Sequence, residues 1–154
     1  MFDDLTIRII IQLVLATLLG LAVGLERERH RKAAGMRTYA LVCLGSALFT
    51  ILSLDGMRAL EPSGAYDASR IAANIVMGIG FIGAGLIFLQ GNMVRGLTTA
   101  AAIWATAAIG MAVGMQMYTV AIISTALVLL TILLFRPIEA LVPRVDDAED
   151  ADKL

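Results

Sequence analysis

The chain has 154 residues, 59% of them hydrophobic and 16% charged, and its formal net charge is −1. Soluble domains contain about 25% charged residues, and a chain of this size must cover a large exposed surface with polar groups when it folds in water. The composition therefore excludes an ordinary soluble domain, and it excludes disordered and fibrous chains as well. Basic residues do not outnumber acidic ones, which argues against nucleic acid as a partner. We predict an integral membrane protein that has the lipid bilayer as its surroundings.

Five apolar stretches are long enough, or nearly so, to cross a bilayer as helices, which takes about 17–25 residues. In chain order they cover residues 7–25, 38–54, 71–89, 98–116 and 118–135. All three prolines fall outside these stretches, as expected of residues that interrupt helices. Continuous apolar runs are not the alternating pattern of a β-barrel. The sequence predicts an all-α, polytopic membrane protein, a bundle of five transmembrane helices that forms one domain over residues 1–135.

The positions of Lys and Arg predict the direction of the chain, because cytoplasmic loops carry an excess of both. Nine of the 12 lie in the loop after the first span, in the loop after the third span, or in the tail, and three lie on the opposite side. We therefore predict an N-terminus outside the cell and a C-terminus in the cytoplasm. Residues 136–154 end in an acidic run and are expected to form a short, solvated cytoplasmic tail.

Small residues on the predicted helices mark surfaces where two helices can approach closely. We assign helix packing to glycines of the first, third and fourth spans: Gly20, Gly24, Gly78, Gly80, Gly83, Gly85 and Gly110. The third span carries small residues on two sides, which predicts a central helix with several neighbours. Its segment 78–85 also contains G-x-G-x-x-G, but a dinucleotide site needs a strand before this motif and a helix after it. Because glycine is a poor helix former, a kink or break in this segment is the alternative to tight packing.

Helical periodicity of about 100° per residue also defines faces on the first and fourth spans. The first span has one stripe suited to close helix contact, made of Gln12, Ala16, Gly20, Val23 and Arg27, with Glu26 adjacent to it. The fourth span has one face made of Thr99, Ala102, Thr106, Gly110 and Val113, with Trp104, Met111 and Met115 on the opposite face. We expect the first of these two faces to look into the bundle and the Trp104 face to look toward lipid or a partner subunit.

Polar side chains collect at the ends of the spans, where charged groups are expensive to bury and often functional. On the cytoplasmic side we single out Glu26, Arg27, Arg37, Thr38, Arg95, Thr98 and Thr99. On the outer side we single out Asp67, Arg70 and Asn74. Thr38 and Thr98 are candidates to cap the second and fourth helices. Glu26 could pair with Arg37 or Arg95, so both structural ion pairing and a direct functional role are compatible with these charges.

The sequence offers little for enzyme chemistry. The one histidine, His30, lies in the basic loop and is expected to be solvated, and the one cysteine, Cys43, lies in an apolar run. These residues provide neither a Ser/His/Asp set nor the ligands of a zinc site. We expect no enzyme activity, no metal site and no cofactor.

Several strings occur in a fixed order along the chain. They are Gly24-Leu25-Glu26-Arg27, Gly35-Met36-Arg37-Thr38-Tyr39-Ala40-Leu41, Asp67-Ala68-Ser69-Arg70, the glycine run 78–85, and Arg95-Gly96-Leu97-Thr98-Thr99. This series resembles the MgtC/SapB family of bacterial inner-membrane proteins, and the resemblance extends over about residues 16–116. The resemblance implies a five-span bundle with a cytoplasmic C-terminus and a link to growth at low magnesium. It also implies a regulator that binds other membrane proteins, including the proton-driven ATP synthase. The polar positions of the family correspond to the cytoplasmic and outer residues singled out above, except Asn74.

The chain also departs from the family pattern. MgtC-type members carry a sizeable soluble domain after the last span, whereas 19 residues follow Phe135 here, which favours a short, SapB-like member. Met93 stands where members often have Asn, and Asn74 stands where many have Gln. The side-chain contacts at these two positions are therefore expected to differ.

Two functions from different classes follow. The first is a non-enzymatic inner-membrane protein that modulates magnesium, ion or energy homeostasis by binding other membrane components, and that self-associates as a homodimer. The alternative is a small oligomeric ion transporter or channel. Its path would use Asp67, Arg70 and Asn74 on the outer side and Glu26, Arg37 and Arg95 on the inner side.

Overall fold

The computed structural model describes residues 3–56, 67, 69–91 and 93–139, with side chains as far as residue 135. These parts of the chain form α-helices, one π-helical turn and one two-stranded hairpin. In chain order the elements are α1 (Asp4–Arg29), α2 (Met36–Ile51), the π-helical turn (Leu52–Gly56), α3 (Ser69–Ala84), β1 (Phe88–Gln90), β2 (Met93–Arg95), α4 (Leu97–Gly114) and α5 (Tyr118–Glu139). The all-α fold class with five helices is confirmed, and the hairpin is an addition that the sequence did not predict. The outer loop over 57–66 and most of the predicted tail lie outside the described residues.

Four segments of the described chain are long and apolar enough to cross a membrane. They are Asp4–Arg29, Met36–Gly56, Leu97–Gly114 and Tyr118–Phe135. Helix α3 is also apolar, but it has 16 residues, fewer than the roughly 20 that a perpendicular crossing needs. Many large apolar side chains point outward, among them Phe81 with 84% of its surface exposed. Such an outer surface suits lipid rather than water. The number of crossings and their direction stay predictions.

The interface between α1 and α2 depends on the two glycines of Gly20-x-x-x-Gly24. A Cβ atom at Gly20 would lie 2.6 Å from the carbonyl oxygen of Tyr39, and one at Gly24 would lie 2.6 Å from the Cα of Met36. The backbones of α1 and α2 therefore come so close that no side chain fits between them. In lipid, where apolar burial does not favour one helix contact over another, such close backbone packing is a main source of helix association.

A second glycine pair, on α4, packs against another side of α2. A Cβ atom at Gly114 would lie 2.6 Å from the Cβ of Thr50, and one at Gly110 would collide with the carbonyl oxygen of Cys43. Gly110 and Gly114 are four residues apart, as Gly20 and Gly24 are in α1, so the same glycine packing motif occurs on both helices. Helix α2 is therefore held between α1 and α4.

The prediction that α3 is the central helix is wrong. Its buried residues are Ile75, Ile79 and Gly83, and Gly83 packs on Ala100 of α4, whose Cβ would lie 3.5 Å from an added Cβ. A Cβ atom at Gly78 or Gly80 would meet no described atom within 4 Å. Small residues permit close helix contact but do not select a neighbour, and α4, which contacts all four other helices, takes the central place.

Helix α3 ends five residues before the predicted end of the third span. It runs through its glycines to Ala84, and the chain then turns into the hairpin, in which Phe88 pairs with Arg95. Gly96 follows the hairpin with φ +91°, and a Cβ at this position would collide with the carbonyl oxygen of Leu86. Only glycine combines this left-handed backbone with so close an approach. The turn after α3 and the start of α4 are therefore packed closely against each other.

Helix α5 lies on the outside of the bundle, against α4 and α1. Its buried side chains include Ala121, Thr125 and Ile132. The helix continues to Glu139, past Pro137, whereas the sequence predicted an end at Phe135. A proline so near the C-terminal end removes one backbone hydrogen bond while most of the helix stays intact.

Two helices end in the same way, with a residue other than glycine in the left-handed region. After α1, Arg31 has φ +50° and the N–H of Lys32 donates to the carbonyl oxygen of Arg27 at 3.1 Å. After α4, Gln116 has φ +63° and the N–H of Met117 donates to the carbonyl oxygen of Ala112 at 2.9 Å. This is the Schellman ending, in which glycine is usual because its φ is unrestricted.

Replacing Gln116 by glycine is expected to stabilise the protein by about 1 kcal/mol, because it relieves the left-handed strain that a side chain causes. The free energy of unfolding would be measured by titration with sodium dodecyl sulfate in a mild detergent. Met115 is the matched control, since its φ of −80° is unstrained, and Met115→Gly should destabilise the protein. A loss of stability in both variants would contradict the assignment of strain to Gln116.

Candidate functional site

A buried ion pair near the end of α1 contains two of the residues that the sequence singled out. Glu26 and Arg27 are 7% and 2% exposed, and the Nε of Arg27 donates to the Oε2 of Glu26. The Nδ1 of His30 lies 2.8 Å from the Oε1 of Glu26. The predicted pairing of Glu26 with Arg37 or Arg95 is therefore wrong, because nearer partners on its own helix take the carboxylate. His30 is half-buried beside Glu26 and is not fully solvated as expected.

A groove of about 740 Å³ separates α2 from α3, and we call it the α2–α3 groove. On α2 it is lined by Arg37, Thr38, Leu41, Val42, Gly45, Ser46 and Phe49, and on α3 by Ile71, Asn74, Ile75, Gly78, Ile79 and Ile82. It extends from Arg37 to Phe49, which corresponds to about 18 Å of helix. Most of its lining is apolar. Arg37 and Asn74, which the sequence assigned to opposite sides of the membrane, thus line the same groove.

The groove exists because α2 and α3 carry small residues where they face each other. A Cβ atom added at Gly45 or at Gly78 would meet no described atom within 4 Å. Gly78 was predicted to pack against a neighbouring helix, and no helix among the described residues packs closely against it. Gly80 is similarly open, but it does not line the groove, and Gly85 meets only the carbonyl oxygens of the preceding turn.

A second cavity, of about 690 Å³, lies where the α1–α2 loop, the hairpin and the start of α4 meet, and we call it the basic pocket. Its lining residues are His30, Arg31, Lys32, Ala33, Phe88, Met93, Val94, Arg95, Gly96, Leu97, Thr98 and Thr99. Three residues of the predicted cytoplasmic set, Arg95, Thr98 and Thr99, therefore share one cavity. Thr99 is buried, and its carbonyl oxygen accepts a hydrogen bond of 3.2 Å from the hydroxyl of Tyr39.

The predicted helix caps are wrong for both threonines. Helix α2 begins at Met36 and α4 begins at Leu97, each after a glycine that provides no side-chain cap, so Thr38 and Thr98 lie inside their helices. The N–H of Met36 instead donates to the Oε2 of Glu28 at 2.8 Å. The carboxylate of Glu28 thus caps α2 from the end of α1, a longer-range contact that local sequence rules cannot detect.

The residues predicted for the outer side do not form one cluster. Asp67 accepts hydrogen bonds from the backbone N–H and the hydroxyl of Ser69, at 2.9 and 2.6 Å, and these bonds lower the pKa of the Asp67 carboxyl. Asp67 therefore acts at the start of α3. Arg70 is exposed, and Asn74, about one turn further along α3, lines the groove. Of the three residues, only Asn74 belongs to a cavity described above.

Two polar contacts that join separate elements were missed by the sequence reasoning. The Nη2 of Arg8 lies 2.9 Å from the Oδ2 of Asp55, so an ion pair links the start of α1 to the π-helical turn. The Nε2 of Gln12, which is fully buried, donates to the carbonyl oxygens of Val113 and Gly114 at 3.0 and 2.9 Å. Gln12 thereby satisfies backbone groups left open at the end of α4. The position of Gln12 on a stripe of small residues was a usable signal for this role.

The fold and these two cavities define a helical membrane protein with a lateral apolar groove and a basic pocket at one end. The profile of the MgtC family matches residues 13–141, and the chain belongs to this family. The predicted resemblance is confirmed.

Three relatives illustrate the similarity. The chain is 46% identical over 134 residues to the "Putative magnesium transporter YhiD" of Escherichia coli K12. The matched region covers 85% of this chain and 62% of the relative. It is 38% identical over 144 residues to the "Protein MgtC" of Salmonella paratyphi A, covering 94% of this chain and 59% of the relative. It is 42% identical over 123 residues to the "Protein MgtC" of Brucella abortus, covering 80% and 49%. The chain thus spans between 49% and 62% of the length of these curated relatives. No solved structure matches it.

Proposed function

We propose that this chain is a non-enzymatic protein of the bacterial inner membrane that binds a transmembrane helix of another membrane protein in the α2–α3 groove. Through that partner it would modulate magnesium, ion or energy homeostasis. The observation that carries the proposal is the groove itself, an apolar cleft about 18 Å long between two helices that barely touch. Support for a role in magnesium homeostasis comes from the name of the E. coli relative.

The lining of the groove suits one face of a helix. Gly45 and Gly78 leave room for the backbone of a second helix to approach, which is the common arrangement of helix contacts in lipid. Asn74, which is exposed, provides a hydrogen-bonding side chain within a mostly apolar lining, and such groups strengthen and orient helix pairs. The occupant therefore needs small residues and a polar side chain on the face that it presents.

Charge specifies the partner further. Arg37 lies at one end of the groove and forms no ion pair with any residue that the structure describes. A carboxylate at the corresponding end of the partner helix would neutralise this charge and set the direction in which the helix enters. We therefore expect the partner to be a transmembrane helix with an acidic residue close to its end.

Filling the groove is expected to abolish partner binding without unfolding the protein. Gly45→Leu and Gly78→Leu each place a large side chain in the groove, and a Cβ at either position meets nothing within 4 Å among the described residues. A photoreactive amino acid at Leu41, which lines the groove and is 67% exposed, would report the occupant in living cells. The yield of the crosslinked partner should fall about tenfold or more in both variants.

Gly80→Leu is the matched control, because Gly80 is equally open and lies on α3 but outside the groove lining. It should retain the crosslink and should support growth at low magnesium as well as the wild type does. Equal crosslinking in all three variants would overturn the proposal. Crosslinking to a second copy of the chain, instead of to a different protein, would also overturn it and would establish a homodimer at this surface.

Magnesium transport is the second candidate, and it rests on the name of the E. coli relative. The structure separates the residues of the path suggested by the sequence: Arg37 and Asn74 line the groove, Glu26 is buried in its ion pair, and Arg95 lines the basic pocket. Magnesium flux into vesicles reconstituted with the purified chain, reduced by Asn74→Ala, would favour transport over partner binding.

A further inference from the structure

We propose that the basic pocket binds a phosphate group carried by an anion. This site is separate from the α2–α3 groove and does not depend on the function proposed for it. Three cationic side chains, Arg31, Lys32 and Arg95, line the pocket from two different elements, the α1–α2 loop and the hairpin. The pocket thus combines a cavity of about 690 Å³ with a concentration of one sign of charge.

The three positive charges are available for a ligand. None of them forms a salt bridge with the residues that the structure describes, and all three side chains are exposed. The nearby carboxylates are engaged elsewhere, Glu26 with Arg27 and His30, and Glu28 with the first N–H of α2. Moreover, no Asp or Glu occurs among the lining residues. An anion in the pocket would therefore meet only attractive charges.

Backbone groups add to this preference. Helix α4 begins at the pocket, and its N-cap, Gly96, provides no side-chain hydrogen bond to the first turn. The N–H groups of such a turn favour anions. Thr98 and Thr99 also lie at this point, and the hydroxyl of Thr98 can donate to a phosphate oxygen. Arginine and lysine side chains together with uncapped N–H groups form a donor set that suits phosphate.

The apolar residues that line the pocket indicate which phosphate compound fits. Phe88 and Val94 of the hairpin are 52% and 51% exposed and line the same cavity as the cations, and Met93 is 40% exposed beside them. A ligand with both an anionic phosphate and an apolar portion would contact both the cationic and the apolar residues of the lining. A phospholipid has this chemistry, and basic pockets at the ends of transmembrane helices bind such headgroups. Free phosphate or a soluble phosphate ester would contact the cationic residues alone.

The test uses the full chain in a neutral detergent and measures its thermal unfolding with three probes: phosphatidylglycerol, phosphatidylcholine and inorganic phosphate at constant ionic strength. A ligand that binds the folded state raises the unfolding temperature. We expect phosphatidylglycerol to stabilise the wild type and phosphatidylcholine to have little effect. In Arg95→Gln and in Lys32→Gln the apparent affinity should fall about tenfold or more, as expected when one charged hydrogen-bond donor is removed.

Arg29→Gln is the matched control, since it removes one exposed positive charge from the same end of the molecule without altering the pocket lining. It should bind as the wild type does. Native mass spectrometry, which counts bound lipid molecules directly, provides a second readout that is independent of changes in stability. Stabilisation by inorganic phosphate that is lost in the same two variants would support the site and identify a soluble phosphate as its ligand. No stabilisation by either anion, or an equal response in the pocket variants and the control, would overturn the proposal.

Discussion

Gly110→Val is expected to destabilise the helix bundle by about 3 kcal/mol, at the upper end of the range for overpacked cores. The reason is that an added side chain at Gly110 collides with the backbone carbonyl of Cys43 and would lie 3.0 Å from the Cβ of Ser46. A backbone atom of α2 cannot rotate away as the end of a flexible side chain can. Helices α2 and α4 would have to separate, and the contacts along both of them would weaken.

The measurement is the free energy of unfolding in mixed micelles, followed by circular dichroism during titration with sodium dodecyl sulfate. Gly80→Val is the matched control, because it introduces the same residue into a helix at a glycine that meets no described atom within 4 Å. We expect the control to unfold at nearly the wild-type concentration of denaturant. If the two variants were equally stable, α4 would not pack on α2 through Gly110.

Arg27→Met is expected to cost about 3–5 kcal/mol, because it leaves the carboxylate of Glu26 buried without its main cationic partner. Both side chains are more than nine-tenths buried, so water cannot replace the lost contact. The double variant Glu26→Gln/Arg27→Met removes both charges and should recover most of this loss, since replacing a whole buried pair by neutral groups is often close to neutral.

The same titration with sodium dodecyl sulfate, applied to both single variants and the double variant, gives the coupling energy between Glu26 and Arg27. Arg29→Met serves as the control, because Arg29 is exposed and near the same end of α1. Its substitution should change stability by less than about 0.5 kcal/mol. Additive effects of the two single substitutions, without recovery in the double variant, would contradict a stabilising pair.

The buried faces of α1 and α4 could be predicted from periodicity within each helix. The residues of the predicted stripe on α1 are all buried, and so are those of the predicted inward face of α4. On the opposite face of α4, Trp104 is 53% exposed, as expected. In a bilayer the surroundings are as apolar as the helix core, so small and polar residues mark the inward side. The angular positions of those residues are contained in the sequence.

The same reasoning was insufficient for α3. Its glycines, like those of α1, permit a close approach, yet a Cβ atom added at Gly78 or Gly80 would meet no described residue within 4 Å. The hairpin after α3 could not be predicted either. Gly85 follows Ala84 and is a residue that often ends helices, but residues 86–89 continue the apolar run and carry no turn signal. The start of α4 packs on the turn after α3 through the contact of Gly96 with the carbonyl of Leu86, which involves residues ten positions apart.

The sequence by itself determined that the chain is a helical membrane protein of the MgtC family, where along the chain its five helices lie apart from their exact ends, and which faces of two of them are buried. Only the tertiary structure decided that α4 is central, that Glu26 pairs with Arg27 and His30, and that Arg37 and Asn74 line one groove. The physical reason is that helical periodicity specifies the direction of each side chain around its own axis. The partner that the side chain meets depends on the distance and rotation of a neighbouring helix, and these are set by the packing of the whole bundle.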